Sequence, residues 1–184
     1  SQADLYLELR EGSGRVFLET KPLTKMDTQV STRFAKEIAC KHFKLNCQKY
    51  DFIYTIQAES NIIGGPSAGA AIAALTTIAV LDLEHDEEVT ITGTINSGGI
   101  IGYVGGVKEK LEAASRGGLK KVLVAKGTTG TAIDETIEEV PDNEVNDSNI
   151  SNDNKQNQTK EKEESINLQE YAKQNLSIEM VEVI

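Results

Sequence analysis

Asn61-Ile62-Ile63-Gly64-Gly65-Pro66-Ser67-Ala68-Gly69-Ala70-Ala71 is the stretch on which the reading of this chain turns. A serine follows Gly-Gly-Pro, has small neighbours and opens an apolar helix. Little side-chain bulk surrounds its hydroxyl, and the proline stiffens the backbone before it. The glycines let another chain approach closely. A nucleophile is presented in this way, but a tight turn into a buried helix uses similar residues. The flanking sequence has to choose.

Working outward, Tyr50 to Ile56 reads as a strand running into the glycine stretch. Ala68 to Leu81 reads as a helix that is apolar on nearly all sides and therefore buried. It is too short to span a bilayer and carries Thr76 and Thr77. Toward the N-terminus, Leu5 to Leu9 and Arg15 to Glu19 are β-prone runs separated by Glu11-Gly12-Ser13-Gly14, which predicts a hairpin. Pro22 is expected to break the second strand. Gln29 to Phe43 reads as a helix with Asp27 or Thr28 as N-cap and with Val30, Phe34 and Ile38 on its core face.

Toward the C-terminus, Val89 to Ile95 alternates apolar residues with threonine, as a half-buried strand does. Ser97 to Gly106 is a glycine-punctuated loop or hairpin. Val107 to Ser115 is a short helix closed by Arg116-Gly117-Gly118, and Lys121 to Ala125 is a strand. Leu168 to Gln174 reads as a helix and Ser177 to Ile184 as a final strand. The polar run Asp142 to Glu164 cannot bury a core face and is expected to be a solvated insertion in a single domain of 1–184.

The 184 residues carry a net charge of −10, unevenly spread. Asp134 to Glu170 holds twelve acids and three lysines, so the rest of the chain is nearly neutral. No basic stripe favours a nucleic-acid partner. Ser1-Gln2-Ala3, without an initiator Met, reads as the start of an excised or processed piece. Cys40 and Cys47, with only His42 nearby, do not fill a zinc site. They form either a local disulfide across a helix end or two reduced core thiols. The disulfide would favour a membrane-associated or extracytoplasmic setting over the cytoplasm.

Phosphate binding is disfavoured. Gly64 and Gly69 have the spacing of a P-loop, but Ala70-Ala71 follow where that loop needs Lys and then Ser or Thr. Gly98 to Gly106 does not match the dinucleotide fingerprint. As a nucleophile Ser67 could use nearby backbone amides to hold an oxyanion, and it needs a base. His42, at a helix end, and His85, in a charged turn, are poorly placed. A lysine whose pKa is lowered by burial can serve instead. On a helical wheel Val107, Leu111 and Ala114 share one face. Lys110 falls beside that face, whereas Lys108 falls on the opposite side. A lysine snorkelling at a helix edge would give the same pattern.

Gly65-Pro66-Ser67-Ala68-Gly69, Thr92-Gly93-Thr94-Ile95 and Gly105-Gly106-Val107-Lys108-Glu109-Lys110 together resemble the Lon proteolytic domain. The resemblance runs from about Tyr50 to Ala125. The Gly-Gly-Pro-Ser form, the cysteine pair and Pro22-Leu23-Thr24 look closest to archaeal Lon-like proteases without an ATPase module.

The resemblance implies an α+β fold with helices packed on small mixed β-sheets. It implies a serine endopeptidase acting on unfolded or flexible polypeptides through a Ser-Lys dyad of Ser67 and Lys110. Thr92 falls where the family has a threonine that can orient the lysine amine. Backbone groups of Gly65, Pro66, Ser67 and Ala68 would form the oxyanion site. The family also implies a homo-oligomer, typically a hexameric ring, and a larger Lon or Lon-like protein. No cofactor is expected in this domain, and ATP enters only if an ATPase module exists elsewhere. A non-catalytic Lon-like domain for assembly or peptide binding is the alternative. One departure stands out. Many Lon domains carry an acid shortly before the serine, where this chain has Gly64, so any role of that acid is absent or taken over, with Glu59 as a candidate.

Overall fold

The computed structural model describes residues 3–128, 131–133 and 165–184. The insertion expected at 142–164 lies outside the described residues. The first sheet is formed by β1 (Ala3–Glu11), β2 (Val16–Thr24) and β3 (Tyr50–Ile63), in the order β1-β3-β2. The expected hairpin does not form. β3 lies between the two strands, antiparallel to β1 and parallel to β2, with Tyr54 opposite Leu7 on one side and Leu18 on the other.

The turn explains why. Gly12 and Gly14 donate their N–H groups to the Lys49 and Tyr50 carbonyls, each over 2.9 Å. Asp51 accepts from the Ser13 and Arg15 amides at 2.9 and 3.0 Å and from the Arg15 guanidinium at 2.5 Å. The donors that would close a hairpin are spent on the start of β3, which buries Phe52, Tyr54 and Ile56. β2 also continues past Pro22, because the proline falls at a register shift between Lys21 and Leu23. An irregular step of that kind tolerates a residue without an N–H.

α1 (Met26–His42) begins three residues before the predicted start, with Lys25 rather than Asp27 or Thr28 at the N-cap. Its buried face is the predicted one only at Ile38. Thr28, Thr32, Ala35, Ile38 and Ala39 are buried, whereas Val30 is 61 % and Phe34 41 % exposed. Small side chains let α1 lie close to α2 (Gly69–Leu81), whose buried face is itself mostly small. Bulk at positions 30 and 34 is turned outward as a result. Lys36 is buried too, with its ammonium on the Gly14 carbonyl at 3.1 Å and the Glu37 carboxylate at 2.7 Å. Cys40 and Cys47 are joined in a disulfide across the end of α1.

β4 (Val89–Ile91) ends earlier than the alternation predicts, and Thr92 and Gly93 leave the ladder before β5 (Thr94–Ile95). β5 forms a small hairpin with β6 (Ile101–Gly102). α3 (Val107–Arg116) and β7 (Lys121–Ala125) follow as predicted. β8 (Thr131–Ile133) and β9 (Ser165–Asn167) pair with each other, and α4 (Leu168–Asn175) leads into β10 (Glu179–Val183). The second sheet is parallel, in the order β10-β7-β4. Val107, Leu111 and Ala114 of α3 and Leu168 and Ala172 of α4 pack with Val122, Val124 and Met180 of the sheet. Helices on two small sheets, one mixed and one parallel, make an α+β fold.

Candidate active site

Ser67 lies half-buried in the turn between β3 and α2. Its carbonyl oxygen accepts the Gly93 N–H over 3.0 Å, with the Thr92 hydroxyl 3.5 Å away. The Gly93 carbonyl in turn accepts the Ala70 N–H at 3.0 Å. That bond partners a first-turn amide of a helix with no side-chain cap. It is also why the expected 89–95 strand breaks, since the polar backbone of Gly93 is committed to the head of α2. Only glycine fits this approach. A Cβ at position 93 would collide with Ile101 Cγ2 and come within 3.3 Å of the Gly102 carbonyl oxygen.

Lys110 is half-buried near the start of α3. Val107, Leu111 and Ala114 seat that helix on β7, on the face the wheel selects. β7 also accepts the Thr92 N–H through the Leu123 carbonyl at 3.0 Å, so the same strand braces the segment that holds Ser67. Burial pushes the Lys110 amine below the ordinary lysine pKa, and the Glu109 carboxylate opposes that shift. Its Nζ donates to the Gly105 carbonyl over 2.5 Å. Among the described residues the Ser67 hydroxyl has no hydrogen-bond partner, and the amine faces Gly105 rather than Ser67. Thr92, expected to orient the amine, faces the Ser67 carbonyl. Lys108 instead lies over the Tyr171 ring, 5.5 Å from its centroid.

Residues 41–164 match the family of the Lon protease (S16) C-terminal proteolytic domain. The chain belongs to that family. It is 40 % identical over 79 residues to a Lon protease of Vibrio parahaemolyticus and 38 % identical over 79 residues to one of Rhizobium meliloti. It is also 38 % identical over 80 residues to an archaeal Lon protease of Methanocaldococcus jannaschii. Each match covers 43 % of this chain and 10 %, 9 % and 12 %, respectively, of those relatives. The matched stretch thus spans only about a tenth of the length of these relatives.

Within this Lon domain the amides expected at an oxyanion site are unequal. Gly65, with φ at +95° in the region that favours glycine, donates its N–H to Asp27 Oδ2 over 3.0 Å. Pro66 has no N–H. The Ser67 and Ala68 amides have no acceptor among the described residues and stand at the positive end of the α2 dipole. The Glu59 side chain lies outside the described residues.

Against the turn that carries Ser67 runs a mostly apolar groove of about 490 Å³, bounded by Met26, Asp27, Val30, Ser31 and Phe34 of α1, by Pro66 and Gly69, and by Ile95. The outward-turned bulk of α1 is therefore one wall of the site. The sequence assigned Val30 and Phe34 to the core and Asp27 to a helix cap. The stripe Thr28, Thr32, Ala35 and Ala39 was the signal that the other face of the helix is buried.

No helix among the described residues is long and apolar enough to cross a membrane.

Proposed function

We propose that residues 1–184 are one serine endopeptidase domain of a larger Lon or Lon-like protease, with Ser67 as nucleophile and Lys110 as general base. The observation that carries the reading is the setting of Ser67. It lies in the turn whose Pro66 and Gly69 line an apolar groove, its own N–H and that of Ala68 have no acceptor among the described residues, and burial lowers the pKa of Lys110.

In this reading an extended segment of an unfolded or flexible polypeptide seats an apolar side chain in the groove. Ser67 Oγ attacks the scissile carbonyl carbon as neutral Lys110 Nζ takes the hydroxyl proton. A neutral amine that gives one N–H to the Gly105 carbonyl still has its lone pair, so that contact orients a base without consuming it. The Ser67 and Ala68 amides hold the oxyanion. On collapse the leaving amine takes the proton from the Lys110 ammonium, and the acyl-enzyme remains. Water then loses a proton to Lys110 and attacks the ester, which releases the acid and restores Ser67. Thr92 steadies the turn through the Ser67 carbonyl.

This chemistry uses no cofactor in the domain. ATP would enter through an ATPase module elsewhere in the full-length protein, and a homo-oligomeric ring of the family's hexameric kind would present the site. Ser67→Ala and Lys110→Ala should each abolish hydrolysis of an unfolded protein, and a fluorophosphonate should label Ser67 in the parent. Full activity in either variant sinks the dyad. The contact of Lys110 with Gly105 favours one other reading, a non-catalytic domain for assembly or peptide binding. That reading requires an unlabelled Ser67.

A further inference from the structure

We propose that Asp27 is a positioning residue for the nucleophile: its carboxylate holds the Gly65 N–H and thereby sets where the turn presents the Ser67 hydroxyl and its two flanking amides. The proposal rests on the reading of Ser67 given above. Gly64 and Gly65 give the turn two residues of high backbone freedom directly before Pro66-Ser67, and such a segment keeps one conformation only if its polar groups are tied down. The ties run to the head of α1. The Lys25 N–H donates to the Ile63 carbonyl at 2.9 Å, and Gly65 N–H donates to Asp27 Oδ2 at 3.0 Å. The buried Thr28 hydroxyl stands 3.4 Å from the Gly65 carbonyl oxygen. Lys25 lies over Gly64, so a Cβ there would come within 2.7 Å of Lys25 Cδ.

Asp27 is itself held. Its other oxygen accepts the Thr28 N–H at 2.7 Å, in the first turn of α1, where free amides and the helix dipole favour negative charge. A bond to a carboxylate is roughly twice as strong as one between neutral groups. It joins residues 38 apart in sequence, so the position of α1 becomes the position of the turn. It also points the Gly65 amide at α1, which leaves the oxyanion to Ser67 and Ala68.

The test compares Asp27→Ala, which removes the acceptor, with Asp27→Asn, which keeps an acceptor oxygen. Readouts are kcat and KM for an unfolded substrate, the rate of Ser67 labelling by a fluorophosphonate, and hydrogen exchange at the Gly65 amide. Misplacing a reacting group by about 1 Å costs on the order of a hundredfold. Asp27→Ala should therefore lower kcat about 10- to 100-fold with KM within about threefold. Labelling should slow by a similar factor and Gly65 should exchange faster, while Asp27→Asn recovers most of the loss. An unchanged kcat, or a change confined to KM, overturns the proposal, since Asp27 would then only border the groove. An Asn variant as poor as the Ala variant overturns it as well. If Ser67 is not labelled in the parent, the failure lies with the nucleophile itself.

Discussion

The Gly93 N–H donates to the Ser67 carbonyl oxygen over 3.0 Å, and this bond ties the Ser67 turn to the break between β4 and β5. Ser67 is thus positioned by the Thr92–Gly93 link between the two strands, which begins 25 residues downstream, as well as by its own turn.

The first prediction concerns that junction. Gly93→Ala places a methyl group against Ile101 Cγ2 and the Gly102 carbonyl. Overpacking of this kind costs about 1–3 kcal/mol. At about 2–4 °C per kcal/mol for a chain of this size, Tm should fall by several degrees, and hydrolysis should fall with it. Gly98→Ala, where a Cβ meets only Asn96 Oδ1 at 3.3 Å, is the control and should change Tm little in thermal unfolding.

The rate profile should report Lys110. A general base works unprotonated, so activity rises with pH through its pKa. Burial lowers that pKa from the ordinary 10.5, so the rising limb should lie below 10.5. The Glu109 carboxylate raises the pKa, and Glu109→Gln should move the limb to lower pH. A limb that does not shift, in kcat/KM measured across pH, would detach Lys110 from the proton transfer.

The groove should govern substrate choice and contribute little to stability. Phe34→Asp puts a charge beside Pro66 and Ile95 at a position already 41 % exposed. KM for peptides with a bulky apolar side chain at the cleavage site should rise about tenfold or more, of the order that losing a buried apolar contact brings. Tm should move by no more than about 2 °C, as surface changes usually stay within about 0.5 kcal/mol. Equal losses on apolar and polar peptides would argue against the groove as a side-chain pocket.

Acid should loosen the β1–β2 turn through Asp51. The Arg15 guanidinium, with the Ser13 and Arg15 amides, lowers its pKa from 3.8 to about 2. A carboxylate with a depressed pKa adds stability above its unfolded value that is lost as pH falls through the folded one. Asp51→Asn should therefore lower Tm at pH 7. The gap to the parent should narrow between about pH 4 and pH 2. A gap independent of pH would place the effect in packing instead of charge.

The local features of this chain were legible in its residues. An all-round apolar run marked α2, the wheel marked the seated face of α3 and separated Lys110 from Lys108, and Lys121 to Ala125 could be read as a strand directly. Gly-Gly-Pro-Ser flagged the turn before any partner was known, and its combination with the Thr92 and Lys110 segments pointed to the Lon family. These signals lie within single elements or short motifs, where spacing alone carries the information.

Tertiary structure decided the rest, because the deciding partners are far apart in sequence. Hydrophobic alternation in β1 and β2 is equally compatible with pairing each other or pairing a third strand. Only the Gly12, Gly14 and Asp51 bonds to the start of β3 make the choice. Helical periodicity shows that α1 has a bulky stripe and a small one, but not which of them α2 will cover. Packing selected the small stripe, turned Val30 and Phe34 toward the site and brought Asp27 to Gly65. The residues could mark the Ser67 turn, but long-range pairing was needed to set the bulky face of α1 beside it and to join Gly65 to Asp27.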